Sequence, residues 1–281
     1  MTRTKLLQPW MSMIAILVLT LAACSSAATK PTPTPNLPKK NVAISGSGSV
    51  STVVKYLSDA YGKKHSDLTF EFLSGTGTGG GVKGVLQRQL DLAAMGRAPT
   101  SEETAGGIAY LDVGLDRVAI AVSLDVPVTQ LTGQQVKDIL TGKITNWSAV
   151  GGPDATINVL VRDEADSATA VLRDKLLGKE AFAGSALALT SAPDMQAALS
   201  NMTRAIGFLG NSDLRLEKPK AHAVVIDGHD LANLNDTYPY PRPVGIGYLP
   251  ANVAQVQPFL DFIKSAEGQA LLVSAGISPA K

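Results

Sequence analysis

The residues best suited to chemistry form a glycine- and threonine-rich stretch at positions 74–83, SGTGTGGGVK. Glycine lets a ligand approach the backbone closely, and the first N–H groups of a following helix have no intrahelical partner. They also lie at the positive end of the helix dipole, so the stretch is suited to holding an anion. The hydroxyls of Thr76 and Thr78 and the backbone at Gly79 are the candidate ligand-binding groups. A flexible glycine turn is the alternative interpretation.

Two further strand–loop–helix junctions repeat this arrangement. The run 41–45 has the pattern of a strand and is followed by GSGS at 46–49, where Ser47 and Ser49 are candidate hydroxyl donors. The run 157–161 also predicts a strand, and a helix with apolar residues at helical spacing begins after its polar loop. The sequence therefore predicts several helix N-termini with hydroxyl groups.

The third junction adds charge to this pattern. Arg162 ends the predicted strand, and its planar guanidinium suits a tetrahedral oxyanion. Three acids follow in the same loop and could pair with Arg162, or one could accept a proton from a protonated ligand: Asp163, Glu164 and Asp166. Arg97 lies after a short predicted strand, 91–95, where α/β sheets bind ligands. These arginines are further candidates for ligand binding.

Residues 1–23 are predicted to be a signal peptide rather than part of the fold. A short basic region and an apolar run end in LAAC at 21–24, which resembles a bacterial lipoprotein signal. Cys24, the only cysteine, is then the lipid anchor, and 24–40 comprise the lipidated cysteine and a Pro/Thr-rich tether. A formal charge of +1 predicts no nucleic-acid partner.

From residue 41 to about 280 the motifs resemble those of the phosphate-binding proteins of bacterial phosphate ABC importers, in the expected order. The motifs that carry the resemblance are GGGVK at 79–83, DLAA at 91–94, AP at 98–99, LTGKITNW at 140–147, VGGPD at 150–154, AIGF at 205–208, YP at 238–239, RP at 242–243 and FIKSAEGQ at 262–269.

This resemblance implies an α/β, two-lobed periplasmic-binding-protein fold of type 2. Each lobe would be a mixed sheet flanked by helices, with the ligand in the cleft between the lobes. Lobe I would comprise 41–121 plus 244–281, and lobe II 122–243. The expected function is the extracytoplasmic, membrane-anchored solute-binding component of an importer, monomeric, with a membrane permease as partner. It would bind phosphate or a related oxyanion and would be neither an enzyme nor dependent on a cofactor or metal.

By motif position the resemblance also assigns ligand-binding residues. Those that fall on the family's binding loops are Ser49, Val50, Thr78, Arg162, Ser167 and Thr169, with Ala168 where the family has glycine. Ser167 stands five positions after Arg162, one more than usual, and Gly96 stands where familiar phosphate binders have an aspartate that accepts the ligand's proton. We therefore expect phosphate to be recognised through Asp166 as the acceptor.

Other classes of protein fit the sequence less well. Gly75-x-Gly77-x-x-Gly80 matches a dinucleotide-binding fingerprint, but the predicted lipoprotein signal argues against a cytoplasmic cofactor. No Gly-x-Ser-x-Gly motif indicates a hydrolase, and the segment DGHD at 227–230 is interpreted as a polar turn rather than a metal site. A lipoprotein of the same fold that senses an oxyanion without a permease would have the same sequence features.

Overall fold

The computed structural model of the protein describes residues 40–234 and 237–280. The predicted signal peptide, Cys24 and the tether up to residue 39 lie outside the described residues. Within the two described ranges, no helix is both long and apolar enough to cross a lipid bilayer.

Strands and helices alternate through most of the described chain. The strands are β1 Lys40–Gly46, β2 Leu68–Phe72, β3 Leu92–Met95, β4 Ala109–Ser123, β5 Gln130–Leu131, β6 Asn158–Arg162, β7 Leu187–Leu189, β8 Ala205–Gly210, β9 Ala221–Ala223, β10 Val225–Ile226, β11 Pro241–Tyr248 and β12 Ser278–Pro279. The α-helices are α1 Gly48–Gly62, α2 Gly77–Leu86, α3 Ser101–Ala105, α4 Gly133–Leu140, α5 Ser167–Leu172, α6 Ala192–Asn201, α7 Asn211–Leu216, α8 Val253–Lys264 and α9 Ala266–Ser274. A π-helical turn, Arg173–Leu177, continues α5.

A curled mixed sheet runs through the molecule in the order β2-β1-β3-β11-β4-β8-β6-β7. Parallel pairs join β1 to β2 and β3, and β6 to β7 and β8. Antiparallel pairs join β11 to β3 and β4, and β4 to β8. The strand–loop–helix units thus lie on either side of a central antiparallel part formed by β11, β4 and β8.

The long strand β4 belongs to both halves of this sheet. Its residues up to Arg117 pair with β11, whereas those from Val118 onward pair with β8. The change of partner lies within a few residues of the expected crossing at 121, and β11 begins three residues before the expected return at 244. The lobe boundaries themselves stay a prediction.

Separate hydrophobic cores lie on the two sides of this change of partner. On the first side β1, α1 and α8 contribute Ile44, Leu57 and Phe259, all fully buried, to one core. On the second side, Trp147 and Ile139 are fully buried near the second half of β4. Each half of the sheet thus has its own apolar core. Each such side chain stabilises the folded state by about 1.5–3 kcal/mol when it leaves water.

The strand and helix predictions are confirmed for the three junctions that matter most, at β1–α1, β2–α2 and β6–α5. The glycine-rich stretch nevertheless differs from the expected loop, because α2 already begins at Gly77 and includes the next glycines. Gly77 has a positive φ of 70°. Gly81 is instead required by packing, since a Cβ there would lie 2.8 Å from the Cα of Gly46 on β1.

Two segments of the second half were predicted differently from what the structure shows. The apolar run AVVI at 223–226 predicts one strand, but the structure divides it between β9, which pairs with β4, and β10, which pairs with β5. The prolines at 239, 241 and 243 predict a stiff connection between elements, but Pro241 and Pro243 lie in β11. β3 pairs only with 245–247, so at the prolines β11 has a strand neighbour on one side only and the missing N–H groups are tolerated.

Candidate functional site

Four helices begin around one cavity of about 230 Å³. They are α1, α2, α5 and α6, and their N-cap residues, Ser47, Thr76, Asp166 and Ser191, all line it. Each helix N-terminus presents N–H groups that have no intrahelical partner, together with the positive end of a dipole. The cavity is therefore suited to a small anion.

Arg162, at the end of β6, brings a full positive charge to this cavity. Its side chain is only 8% exposed, and its Nη2 lies 2.9 Å from Oδ2 of Asp166. Its Nε has no hydrogen-bond partner among the described residues. A buried donor without an acceptor is costly, so an anion in the cavity would relieve that cost.

Asp166 caps α5 and holds Arg162 at the same time. Its Oδ1 accepts from the N–H groups of Ala168 and Thr169, at 3.0 and 3.1 Å, while Oδ2 faces Arg162. Three of the roughly four lone-pair sites of the carboxylate are thus engaged. These two N–H groups are therefore occupied, and the Thr169 hydroxyl donates to the carbonyl of Arg162. The role of Asp166 as acceptor of a ligand proton stays a prediction.

The first and third junctions meet directly at Ser47 and Ser167, whose buried hydroxyl oxygens are 3.2 Å apart. Gly96 packs against the same place, because a Cβ on it would lie 2.4 Å from Oγ of Ser167. An aspartate at position 96 would therefore require Ser167 to move. The loops thus pack so closely here that they leave no room for a side chain at position 96.

Thr78, Gly79 and Arg97 line a neighbouring cavity of about 560 Å³, which shares Ser167 with the first one. The Thr78 hydroxyl accepts from the N–H of Gly96 at 3.0 Å, which leaves its own proton available to a ligand. Arg97 makes a two-pronged pair with Glu103 at 2.7 and 2.8 Å. The hydrogen bonds of this pair raise the pKa of Arg97 and lower that of Glu103.

Of the predicted ligand-binding residues, the structure therefore brings Ser47, Thr76, Arg162, Asp166 and Ser167 to one cavity. Ser49, Val50, Ala168 and Thr169 are buried in the first turns of α1 and α5 instead. None of these four lines the cavity.

Sequence reasoning missed the fourth helix N-terminus. Thr190, Ser191 and Ala192 line the cavity, although the sequence of 193–202, which follows them, predicts only a helix without a site. The spacing Ser191-x-x-Asp194 is a capping signal, and it locates the start of α6. It does not reveal that this start faces Arg162, which lies in another unit of the sheet.

A buried charged cluster lies where β4, β11 and α7 meet. Arg242 is fully buried and its Nη2 donates to Oδ2 of Asp116 at 2.6 Å. The hydroxyl of Ser212 donates to the same oxygen at 2.8 Å. Burial raises the pKa of the neighbouring Asp213, and the positive charge of Arg242 lowers it only in part. The cluster thus connects the two long central strands, β4 and β11, to the start of α7.

The described residues contain no group of three or more His, Cys, Asp or Glu side chains arranged to hold a metal ion. The groups that face the candidate cavity are N–H donors, hydroxyls, one guanidinium and carboxylates. This set can bind and orient an anion through hydrogen bonds and charge.

The curled mixed sheet, its two cores and the anion-suited cavity define a two-lobed periplasmic-binding-protein fold of type 2. A domain model of the PBP superfamily matches residues 26–267. The chain belongs to this superfamily.

Known relatives agree with this assignment. Phosphate-binding protein PstS of Borreliella burgdorferi is 25% identical over 260 residues, which cover 85% of this chain and 89% of that protein. A structure described as a phosphate ABC transporter substrate-binding protein with bound phosphate, from Clostridium perfringens, is 27% identical and has a TM-score of 0.77. The match covers 86% of this chain and 100% of the Clostridium perfringens chain. An ABC-type phosphate transport receptor from Vibrio cholerae is 28% identical and has a TM-score of 0.62. That match covers 85% of this chain and 100% of the receptor chain.

Proposed function

We propose that the protein is the extracytoplasmic solute-binding component of an ABC importer, and that it binds phosphate or a related tetrahedral oxyanion without turning it over. A membrane permease would receive the ligand, and Cys24 would anchor the protein to the membrane. The relatives named for phosphate binding and transport support this class of function.

One observation carries the proposal. Arg162 is almost completely buried, retains an unpaired Nε among the described residues and lines the cavity where four helices begin. A fixed cation and several helix N-termini around a small space are arranged for a compact anion. The volume of about 230 Å³ is below the usual range for drug-sized ligands, which favours a small ion.

Isothermal titration of the purified body, residues 40–281, against phosphate, sulfate, molybdate and tungstate tests the proposal. We expect phosphate to bind with one site per chain and to be recovered unchanged. Adenosine monophosphate serves as a control for ligand size, because its phosphate is attached to a nucleoside much larger than the free ion. Binding of none of the four anions would refute the proposal.

Thr78 lines the neighbouring cavity, which shares Ser167 with the candidate cavity, and we expect the bound oxyanion to reach its hydroxyl. Thr78→Val is then expected to weaken binding by about 1–3 kcal/mol, the cost of one unmet hydrogen bond in a closed site. The hydroxyl already accepts from the N–H of Gly96, so its proton is the part left for the ligand. The dissociation constant measured by titration checks this. Thr69→Val, on an exposed part of β2, is the matched control and should bind as the parent does. Equal affinities for all three proteins would exclude Thr78 from the site.

Cys24→Ser is expected to abolish lipid attachment of the full-length protein. Serine at this position has no thiol for acylation, so the chain should be released from membranes or left unprocessed. Metabolic labelling with a radioactive fatty acid, followed by membrane fractionation, measures both effects. Labelling of the variant equal to that of the parent would show that Cys24 is not the anchor.

A further inference from the structure

The candidate cavity has many donors and needs an acceptor if it is to recognise a protonated oxyanion. At a pH where phosphate is the monohydrogen dianion, phosphate and sulfate have the same charge and the same tetrahedral shape. Only the hydrogen of phosphate distinguishes them, so selectivity requires a group that accepts that hydrogen. Gly96 has no side chain that could accept a hydrogen bond, and three of the roughly four lone-pair sites of the Asp166 carboxylate are already engaged.

Two hydroxyls at the start of α6 donate to one carboxylate, with Thr190 and Asp194 exposed and Ser191 half-buried. Thr190 Oγ1 donates to Oδ2 of Asp194 at 2.9 Å, and Ser191 Oγ donates to the same oxygen at 2.5 Å. The N–H of Asp194 in turn donates to Ser191 Oγ at 3.2 Å. Hydrogen bonds from Ser191 and Thr190 lower the pKa of Asp194, with a smaller contribution from the charge of Arg162, so the carboxylate stays ionised at neutral pH.

A hydroxyl has one proton and two lone pairs. When that proton is committed to an ionised carboxylate, the oxygen can only accept from other groups. Thr190 then has two lone pairs left and Ser191 has one, because the N–H of Asp194 uses the other. Both residues line the cavity that contains Arg162. They are therefore neutral acceptors in a site that is otherwise rich in donors.

A neutral acceptor has an advantage over the carboxylates of the loop that follows β6. A bare carboxylate beside a dianion is repelled unless it takes up a proton. Glu164 is already paired with Arg173, with contacts at 3.0 and 2.6 Å. Asp163 lines the cavity and accepts from the N–H of Ala165, so it is the rival carboxylate besides Asp166.

We infer that the hydroxyl oxygens of Thr190 and Ser191, oriented by Asp194, accept a hydrogen bond from the ligand's own hydroxyl group and make the site selective for a monohydrogen tetrahedral oxyanion over unprotonated sulfate. Asp194 is a positioning residue in this arrangement. The inference rests on the proposed oxyanion-binding function and names the determinant of selectivity at that same site.

The test is a set of titrations with phosphate and sulfate, at one pH where phosphate is the monohydrogen dianion. Thr190→Val keeps the shape of the side chain but removes the acceptor. Asp194→Asn replaces the carboxylate with an amide that can donate to the hydroxyls, which frees their protons to point into the cavity. Each change is expected to lower the ratio of phosphate to sulfate affinity by roughly ten- to a hundredfold. Sulfate affinity should rise in absolute terms, which a merely structural defect would not produce.

Matched controls separate selectivity from general damage. Thr69→Val and Asp59→Asn make the same chemical changes on exposed surfaces of β2 and α1 and should leave the ratio unchanged. An unchanged ratio in both Thr190→Val and Asp194→Asn overturns the inference. So does a shift of the ratio in Asp163→Asn or Asp166→Asn alone, which would assign the acceptor to a carboxylate. If the parent binds neither anion, the proposed function itself fails.

Discussion

Replacing Arg162 with alanine is expected to weaken phosphate binding by about 2–5 kcal/mol, the usual cost of truncating one partner of a desolvated charge pair. This corresponds to a dissociation constant roughly 30- to 5,000-fold higher. The reason is that its side chain is only 8% exposed, so its charge acts on the ligand with little screening by water. Isothermal titration of parent and variant measures the difference.

The removal of Arg162 also leaves Asp166 buried without its cation, which could lower stability. The double variant Arg162→Ala with Asp166→Asn contains no such unpaired carboxylate, and the amide can still cap α5. It should unfold at nearly the same temperature as the parent and still lose phosphate binding. Lys55→Ala removes an equal charge from the exposed face of α1 and should bind normally. If Arg162→Ala binds every tested oxyanion as the parent does, Arg162 is not in the site.

Arg242→Met is expected to lower the free energy of unfolding by about 3–5 kcal/mol, because it breaks a completely buried ion pair. Asp116 and Arg242 are both 0% exposed, and the change leaves the carboxylate of Asp116 with hydrogen bonds from neutral donors only. Methionine has a similar volume, so the loss should come from charge rather than from a cavity. Urea denaturation of the body, residues 40–281, followed by circular dichroism, measures it.

The control for this prediction is an ion pair in water. Lys55 and Asp59 on α1 lie 2.7 Å apart, yet both side chains are more than half exposed. Lys55→Met should therefore change the free energy of unfolding by no more than about 1 kcal/mol. Equal effects of the two substitutions would show that the Asp116–Arg242 pair contributes no more to stability than a surface pair.

Much of the local structure was predictable because it depends on short stretches of sequence. The apolar periodicity around 53–61 and the β-branched run at 157–161 predict α1 and β6, and the structure has both. The start of α5 was likewise predictable from the hydroxyl residues that follow Arg162. The division of 223–226 into β9 and β10 was not, because it depends on which distant strand each half meets.

The composition of the candidate site shows the same limit. Ser47, Thr76 and Arg162 were identified as ligand-binding candidates from strand–loop–helix patterns, since each pattern is local, whereas Ser167 was assigned through the resemblance to a known family. Arg97, another candidate, instead pairs with Glu103, six residues further along the chain. That pairing competes with any ligand for the guanidinium, and sequence alone does not say which partner prevails.

The sequence by itself determined where strands pass into helices and which of those junctions carry hydroxyls or an arginine, because capping and periodicity act over a few residues. Only the tertiary structure decided that four helix starts surround one cavity and that Thr190 and Ser191 face it with Arg162. It also decided that Arg242 is buried against Asp116, 126 positions earlier in the chain. Such meetings depend on how the sheet orders its strands, and that order results from packing across the whole molecule rather than from any one segment.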